Sequence, residues 1–128
     1  MQAERQLYWR TDMRGRTAYL DAQEWPCFST SQVLIPAGAH TVTTRPQPEK
    51  AAPNPLRIEG INGKVLEAQQ DDKQVTLTYE SRGRCYVTLN RMPATLLCDG
   101  APYLGELLRS GRQVCLVLPQ GKHTVVME

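Results

Sequence analysis

The side chains best suited to chemistry in these 128 residues are two histidines, four cysteines, a few carboxylates and a cluster of aromatic rings. His40 and His123 occupy the same place in two copies of one short motif, Ile35-Pro36-Ala37-Gly38-Ala39-His40-Thr41-Val42 and Leu118-Pro119-Gln120-Gly121-Lys122-His123-Thr124-Val125. Together with Cys27, Cys85, Cys98 and Cys115 they offer the donor types of a zinc site. Their spacings match no zinc template, however, and no two cysteines form a Cys-x-x-Cys pair. Equivalent positions in two copies follow their own turns and have no reason to converge. Each histidine is therefore expected to begin a strand and to hydrogen-bond across its own turn, with no metal and no cofactor. The four cysteines permit three pairings, between which the sequence does not choose. Their neighbours are strand-like, as in Arg84-Cys85-Tyr86-Val87, so the leading expectation is buried free thiols acting as small hydrophobes.

A carboxylate pair for glycoside hydrolysis would have to come from Asp21, Glu24, Asp99 and Glu106. Asp99 already belongs to an Asp-Gly turn, and no Gly-x-Ser-x-Gly elbow, phosphate loop or His-Glu-x-x-His motif is present. No catalytic residue is expected, and a small stand-alone enzyme is the least favoured reading. Aromatic rings offer more. Trp9, Trp25, Tyr8, Tyr19 and Phe28 concentrate near the start of the chain, and an exposed ring can stack on the apolar face of a sugar. Trp25, in the loop-like run Gln23-Glu24-Trp25-Pro26, is the first candidate, with Tyr19 and Phe28 completing a carbohydrate-binding platform. The plainer alternative makes Trp9 core and Trp25 a plug at a seam.

The elements that would position these residues read as strands. Pro-x-Gly between aliphatic runs is a tight turn, so Pro36 and Gly38, and again Pro119 and Gly121, mark a strand, a turn and a returning strand. A repeat also begins at Gln6 and at Gln74, and passes through Arg14-Gly15-Arg16 and Arg82-Gly83-Arg84 at a spacing of 68, which grows to 83 at the Pro-x-Gly turns. The additional residues fall around Asp99-Gly100 and Ser110-Gly111, both strong turn dipeptides. Val75, Leu77 and Tyr79 alternate with Thr76 and Thr78, and Cys85, Val87 and Leu89 alternate with Tyr86, Thr88 and Asn90, as half-buried strands do. Only Ala18 to Glu24 and Ala101 to Leu108 have room for a helical turn or two. The expectation is an all-β sandwich of two related, duplicated units with little or no helix. Residues 1–44 form the first unit and 45–55, with four prolines, an extended connector. Residues 56–128 form the second unit, comprising a bridging hairpin over 56–69 that turns at Asn62-Gly63, and a repeat over 74–128.

Composition sets outer limits. A chain of this length buries a core without staples, and its apolar and charged fractions, 41% and 22%, are those of globular proteins. A net charge of +2 with basic residues scattered among acids argues against nucleic acid. No apolar run approaches the roughly 18 residues of a membrane span, and the start lacks the apolar stretch of a signal peptide. The chain is expected to be cytosolic or, as favoured here, an extracellular or cell-surface piece of a longer exported protein.

The run from Val87 to Pro102, with a proline ahead of a strand that ends in Asp99-Gly100, followed by Leu118-Pro119-Gln120-Gly121-Lys122-His123, resembles the PEGA-type β-domain over the last third of the chain. Gln120 and Lys122 stand where that family carries the residues behind its name. The whole chain also resembles the β-sandwich tails of large bacterial glycoside hydrolases. What these resemblances imply is an Ig-like sandwich, exported and non-catalytic, serving as an accessory or surface module. The partners implied are a neighbouring domain of a longer chain or a polysaccharide.

Overall fold

A computed structural model describes residues 2–3, 5–47, 55–71, 74–103 and 105–128. Every regular element within them is a strand. In the first half these are β1 (Gln2–Ala3), β2 (Leu7–Arg10), β3 (Arg16–Leu20), β4 (Gln23–Trp25), β5 (Gln32–Ile35), β6 (Gly38–Ala39) and β7 (Val42–Pro46). The second half adds β8 (Ile58–Ile61), β9 (Lys64–Asp71), β10 (Gln74–Ser81), β11 (Cys85–Leu89) and β12 (Leu96–Cys98). It ends with β13 (Ala101–Pro102), β14 (Leu107–Ser110), β15 (Gln113–Leu118) and β16 (Gly121–Met127). The fold is all-β, and the two segments with room for helix, 18–24 and 101–108, contain strands.

Period-two patterning builds the second half. Val75, Leu77 and Tyr79 of β10 and Val125 and Met127 of β16 turn inward from a sheet ordered β13-β12-β16-β10-β9. Val87 and Leu89 of β11, and Val114, Leu116 and Leu118 of β15, turn inward from a sheet ordered β14-β15-β11-β8. A bulge between β9 and β10 lets Val65 and Ala68 both face the core although they are three positions apart. The first half holds the smaller sheets β2-β5 and β4-β3-β7, with β1 paired to β6.

One hydrophobic cluster runs through both halves. Residues 26–28 join them, since Leu34 donates its backbone N–H to Cys27 O at 2.9 Å and Ile58 donates to Pro26 O at 2.9 Å. Gln6 and Tyr8 reach across as well: Gln6 bonds to Gly63 O and Val65 N, and the Tyr8 hydroxyl to both backbone groups of Ile61.

Three expectations need correction. Asn62-Gly63 is not a hairpin turn, because β8 pairs with β11 whereas β9 pairs with β10 in the other sheet. The Pro-x-Gly turns do the same: β15 and β16 lie in different sheets, so the returning strand crosses the sandwich rather than pairing with the strand before it. The connector expected at 45–55 begins later, since Arg45 and Pro46 pair with Thr17 and Arg16 as the end of β7; its residues 48–54 lie outside the described ones.

The spacing of 68 also fails as a guide to pairing. It would equate β2 with β10, yet β2 pairs with β5 while β10 pairs with β16 and β9. A spacing of 78, growing to 83, carries one set of pairings onto the other. Leu7 faces Ile35 as Cys85 faces Leu118; Leu20 faces Val42 as Cys98 faces Val125; Tyr19 faces Glu24 as Leu97 faces Pro102. The strand order β4-β3-β7 corresponds to β13-β12-β16, and β2-β5 to β11-β15.

Candidate functional site

Each histidine is held in a clamp, and the two clamps have the same parts. Asp21 and Asp99 end the strands β3 and β12 with φ of 50° and 52°, in the left-handed region that a short polar side chain tolerates. From there each aspartate grips the start of a distant strand through three bonds. Its backbone N–H donates to Thr41 O or Thr124 O, both at 2.8 Å. One carboxylate oxygen accepts from the N–H of that same threonine, at 2.8 Å and 2.9 Å. The other meets the Nδ1 of His40 at 2.8 Å or the Nδ1 of His123.

The second imidazole nitrogen faces back over its own turn, with His40 Nε2 3.1 Å from Ala37 O and His123 Nε2 2.8 Å from Gln120 O. This explains the Pro-x-Gly-x-His spacing. Gly38 and Gly121 adopt φ of 112° and 99°, and a Cβ on either would lie 3.4 Å or 3.5 Å from the Nε2 of the histidine two residues on. The backbone, not the room, calls for glycine, since a Cβ there would meet the ring only at ordinary contact distance.

Both ring nitrogens thus face acceptors, a carboxylate and a carbonyl, and only the doubly protonated imidazolium satisfies both. The aspartate beside each histidine accordingly holds it above its ordinary pKa. In return His40 and then the Thr41 amide hold Asp21 below the usual carboxylate range, and the Thr124 amide and then His123 do so for Asp99. An Asp–His pair is the core of many general-base sites, but there the outer nitrogen is open to substrate. Here the turn occupies it.

Cys98, Asp99 and His123 place one possible ligand atom each within 4.8 Å of one another. The first clamp has the same aspartate and histidine with Leu20 where the second has Cys98, so the Asp–His geometry requires no ion. All four cysteines are free thiols. Burial pushes the Cys85 thiol up to about 11 and raises Cys27 further.

The expected aromatic platform is not assembled. Trp25 is 4% exposed and its indole N–H donates to Leu34 O at 2.8 Å, so its faces are spent on the core. Phe28 is 7% exposed and lies under the Arg57 guanidinium, 4.7 Å from its centroid. Tyr19 sits half-buried on β3 beneath Arg45. Its register partner is Glu24, not Trp25, so the two rings leave opposite faces of the β3–β4 hairpin. Trp25 is the plug of the plainer reading, beside a cavity of about 180 Å³ that β4, Pro36 and His40 share with Leu66–Gln69 of β9.

Of the four acids, Asp21 and Asp99 are consumed in the clamps. Glu24 and Glu106 are exposed. Two residues of consequence escape a reading by motif. Asp21 precedes alanine rather than glycine, which hides its likeness to Asp99. Tyr103 takes the place of Trp25: its hydroxyl lies 2.6 Å from Val117 O, as the Trp25 indole bonds the corresponding Leu34 O. The chain matches no family model, no curated protein and no solved structure.

Proposed function

We propose that this chain is a non-catalytic accessory module, two related β-sandwich units working as part of a larger exported carbohydrate-active or surface protein. The observation that carries this reading is the doubled Asp–His clamp. The side chains most suited to catalysis are turned back onto their own backbone, twice with the same bonds, in an arrangement that fixes where one strand enters a sheet. Such clamps stiffen a spacer and position its ends. The PEGA-like turn in the second unit points the same way, toward a module whose role is set by its neighbours.

The test is the size and location of the native polypeptide, by immunoblot of source cells and culture medium with an antibody against this chain. A band much larger than 14.4 kDa outside the cytoplasm is the expected result. A band of that mass confined to the cytoplasm would overturn the proposal.

A further inference from the structure

The two units differ most at one strip. In the first, residues 26–28 run along β5, with Leu34 N–H bonded to Cys27 O and Phe28 bridged to Val33. In the second, Glu106 and Leu107 run along β15 in the corresponding register, with Val117 N–H bonded to Glu106 O and Leu107 opposite Leu116. The first strip is buried: Pro26, Cys27 and Phe28 are all covered. What covers it is the segment leading into β8. Ile58 N–H bonds to Pro26 O, the Arg57 guanidinium lies over the Phe28 ring, and Leu56 is buried beside them.

Among the described residues, the second strip has no such cover. β14 is the outer strand of its sheet, and Leu107 and Leu108 are 38% and 54% exposed, with Glu106 exposed beside them. A sheet edge carrying adjacent exposed leucines is a template for a further strand.

We propose that the β14 edge is the docking site for an extended Leu-Arg-Ile-type strand from a neighbouring domain, seated as residues 56–58 are seated on 26–28. Its backbone pairs with β14, its two aliphatic side chains share one face and cover Leu108, and its cation lies on the other face over Leu107, as that of Arg57 lies over Phe28. A second copy of this chain is not the donor, because its own β8 is already held between β11 and Pro26. The inference rests on the accessory-module reading, in that a neighbour supplies the strand.

The experiment uses the full chain and a synthetic peptide copying residues 55–61, Pro-Leu-Arg-Ile-Glu-Gly-Ile, at millimolar concentration, read by backbone amide chemical shifts. Saturable shifts centred on 105–110 are expected, lost with the double variant L107K/L108K. A peptide with proline at its fourth residue, the one equivalent to Ile58, lacks the N–H that makes the edge bond and should bind at least tenfold more weakly. Unchanged shifts elsewhere and an unchanged melting temperature check that the lysine variant is folded. No shifts, shifts away from β14, or equal binding of the proline peptide would overturn the proposal. So would a dimer of the unmodified chain that L108K dissociates, since a second copy would then occupy the edge. The immunoblot is independent of these outcomes, so a failed edge and a failed accessory reading are distinguishable.

Discussion

The two halves of the molecule solve one construction problem with different residues. Both anchor a hairpin to a distant strand through an Asp–His clamp, and both pin the end of that hairpin to corresponding backbone carbonyls, Leu34 O and Val117 O. The first does the pinning with Trp25, sealed in the core, and the second with Tyr103, partly exposed in a surface groove that it lines with Cys98, Pro102 and Pro119. The first makes its hairpin with Asp21-Ala22, the second with Asp99-Gly100. Hydrogen-bond geometry is what the halves share, whereas packing volume and backbone ease differ. The clamp therefore tolerates substitution around it so long as aspartate, glycine and histidine keep their places.

The largest expected difference lies in the plugs. Trp25→Ala removes a buried ring and should cost about 3–5 kcal/mol in urea denaturation, whereas Tyr103→Ala should cost less because part of that ring already faces solvent. Equal losses would mean that the second unit is as tightly closed as the first. Next comes the pinning bond alone. Tyr103→Phe keeps the ring and loses the hydroxyl that reaches Val117 O, for an expected loss of about 1 kcal/mol. No loss would show that the ring, not the bond, holds that segment.

The hairpins give a pair of opposite signs. Ala22 has a φ of 68° and Gly100 of 82°. Ala22→Gly should raise stability by roughly 1 kcal/mol and Gly100→Ala should lower it by a similar amount, because only glycine enters the left-handed region without penalty.

The smallest effect is the pH dependence, since these groups are exposed and screened. Each histidine is raised in the folded chain, so its contribution is complete below the unfolded value of about 6.5 and fades as pH rises through the folded value. Each clamp aspartate is lowered, so its contribution is complete above about 3.9 and fades as pH falls through the folded value. Melting temperature should therefore be greatest between about pH 4 and about pH 6.5. Asp21→Asn and Asp99→Asn should each flatten the alkaline limb. A profile unchanged in the double variant would assign the dependence to other groups.

The all-β character was legible because alternation in β10 and β11 and glycine or proline punctuation are local signals. Asp99-Gly100 was legible as a hairpin for the same reason. Asn62-Gly63 has the same turn chemistry but no hairpin, because Ile58 and Ile61 find β11 and the start of β9 finds β10; the choice of partner is tertiary. The most conspicuous likeness in the sequence, the two Arg-Gly-Arg runs at a spacing of 68, does not match the correspondence of the strand pairings. The register at a spacing of 78 rests on sparse matches such as Tyr8 with Tyr86, Thr17 with Thr95 and Asp21 with Asp99. The inward place of Trp25 is not legible in sequence, because a run of polar residues ending in proline looks like a loop although its short strand turns the ring inward.

Because β15 and β16 belong to different sheets, as do β8 and β9 and also β10 and β11, several neighbours in sequence are not neighbours in hydrogen bonding. The hairpins β9–β10 and β14–β15 are local, but Thr76 must find Val126 and Val87 must find Leu116 before the centre of either sheet is joined. Closing such long loops costs entropy ahead of any reward, which places this topology among slow folders, with refolding on the order of milliseconds to seconds. The Asp–His clamps form only once those distant strands have met, so they cannot start folding. They act afterwards, by making the assembled sandwich slow to come apart.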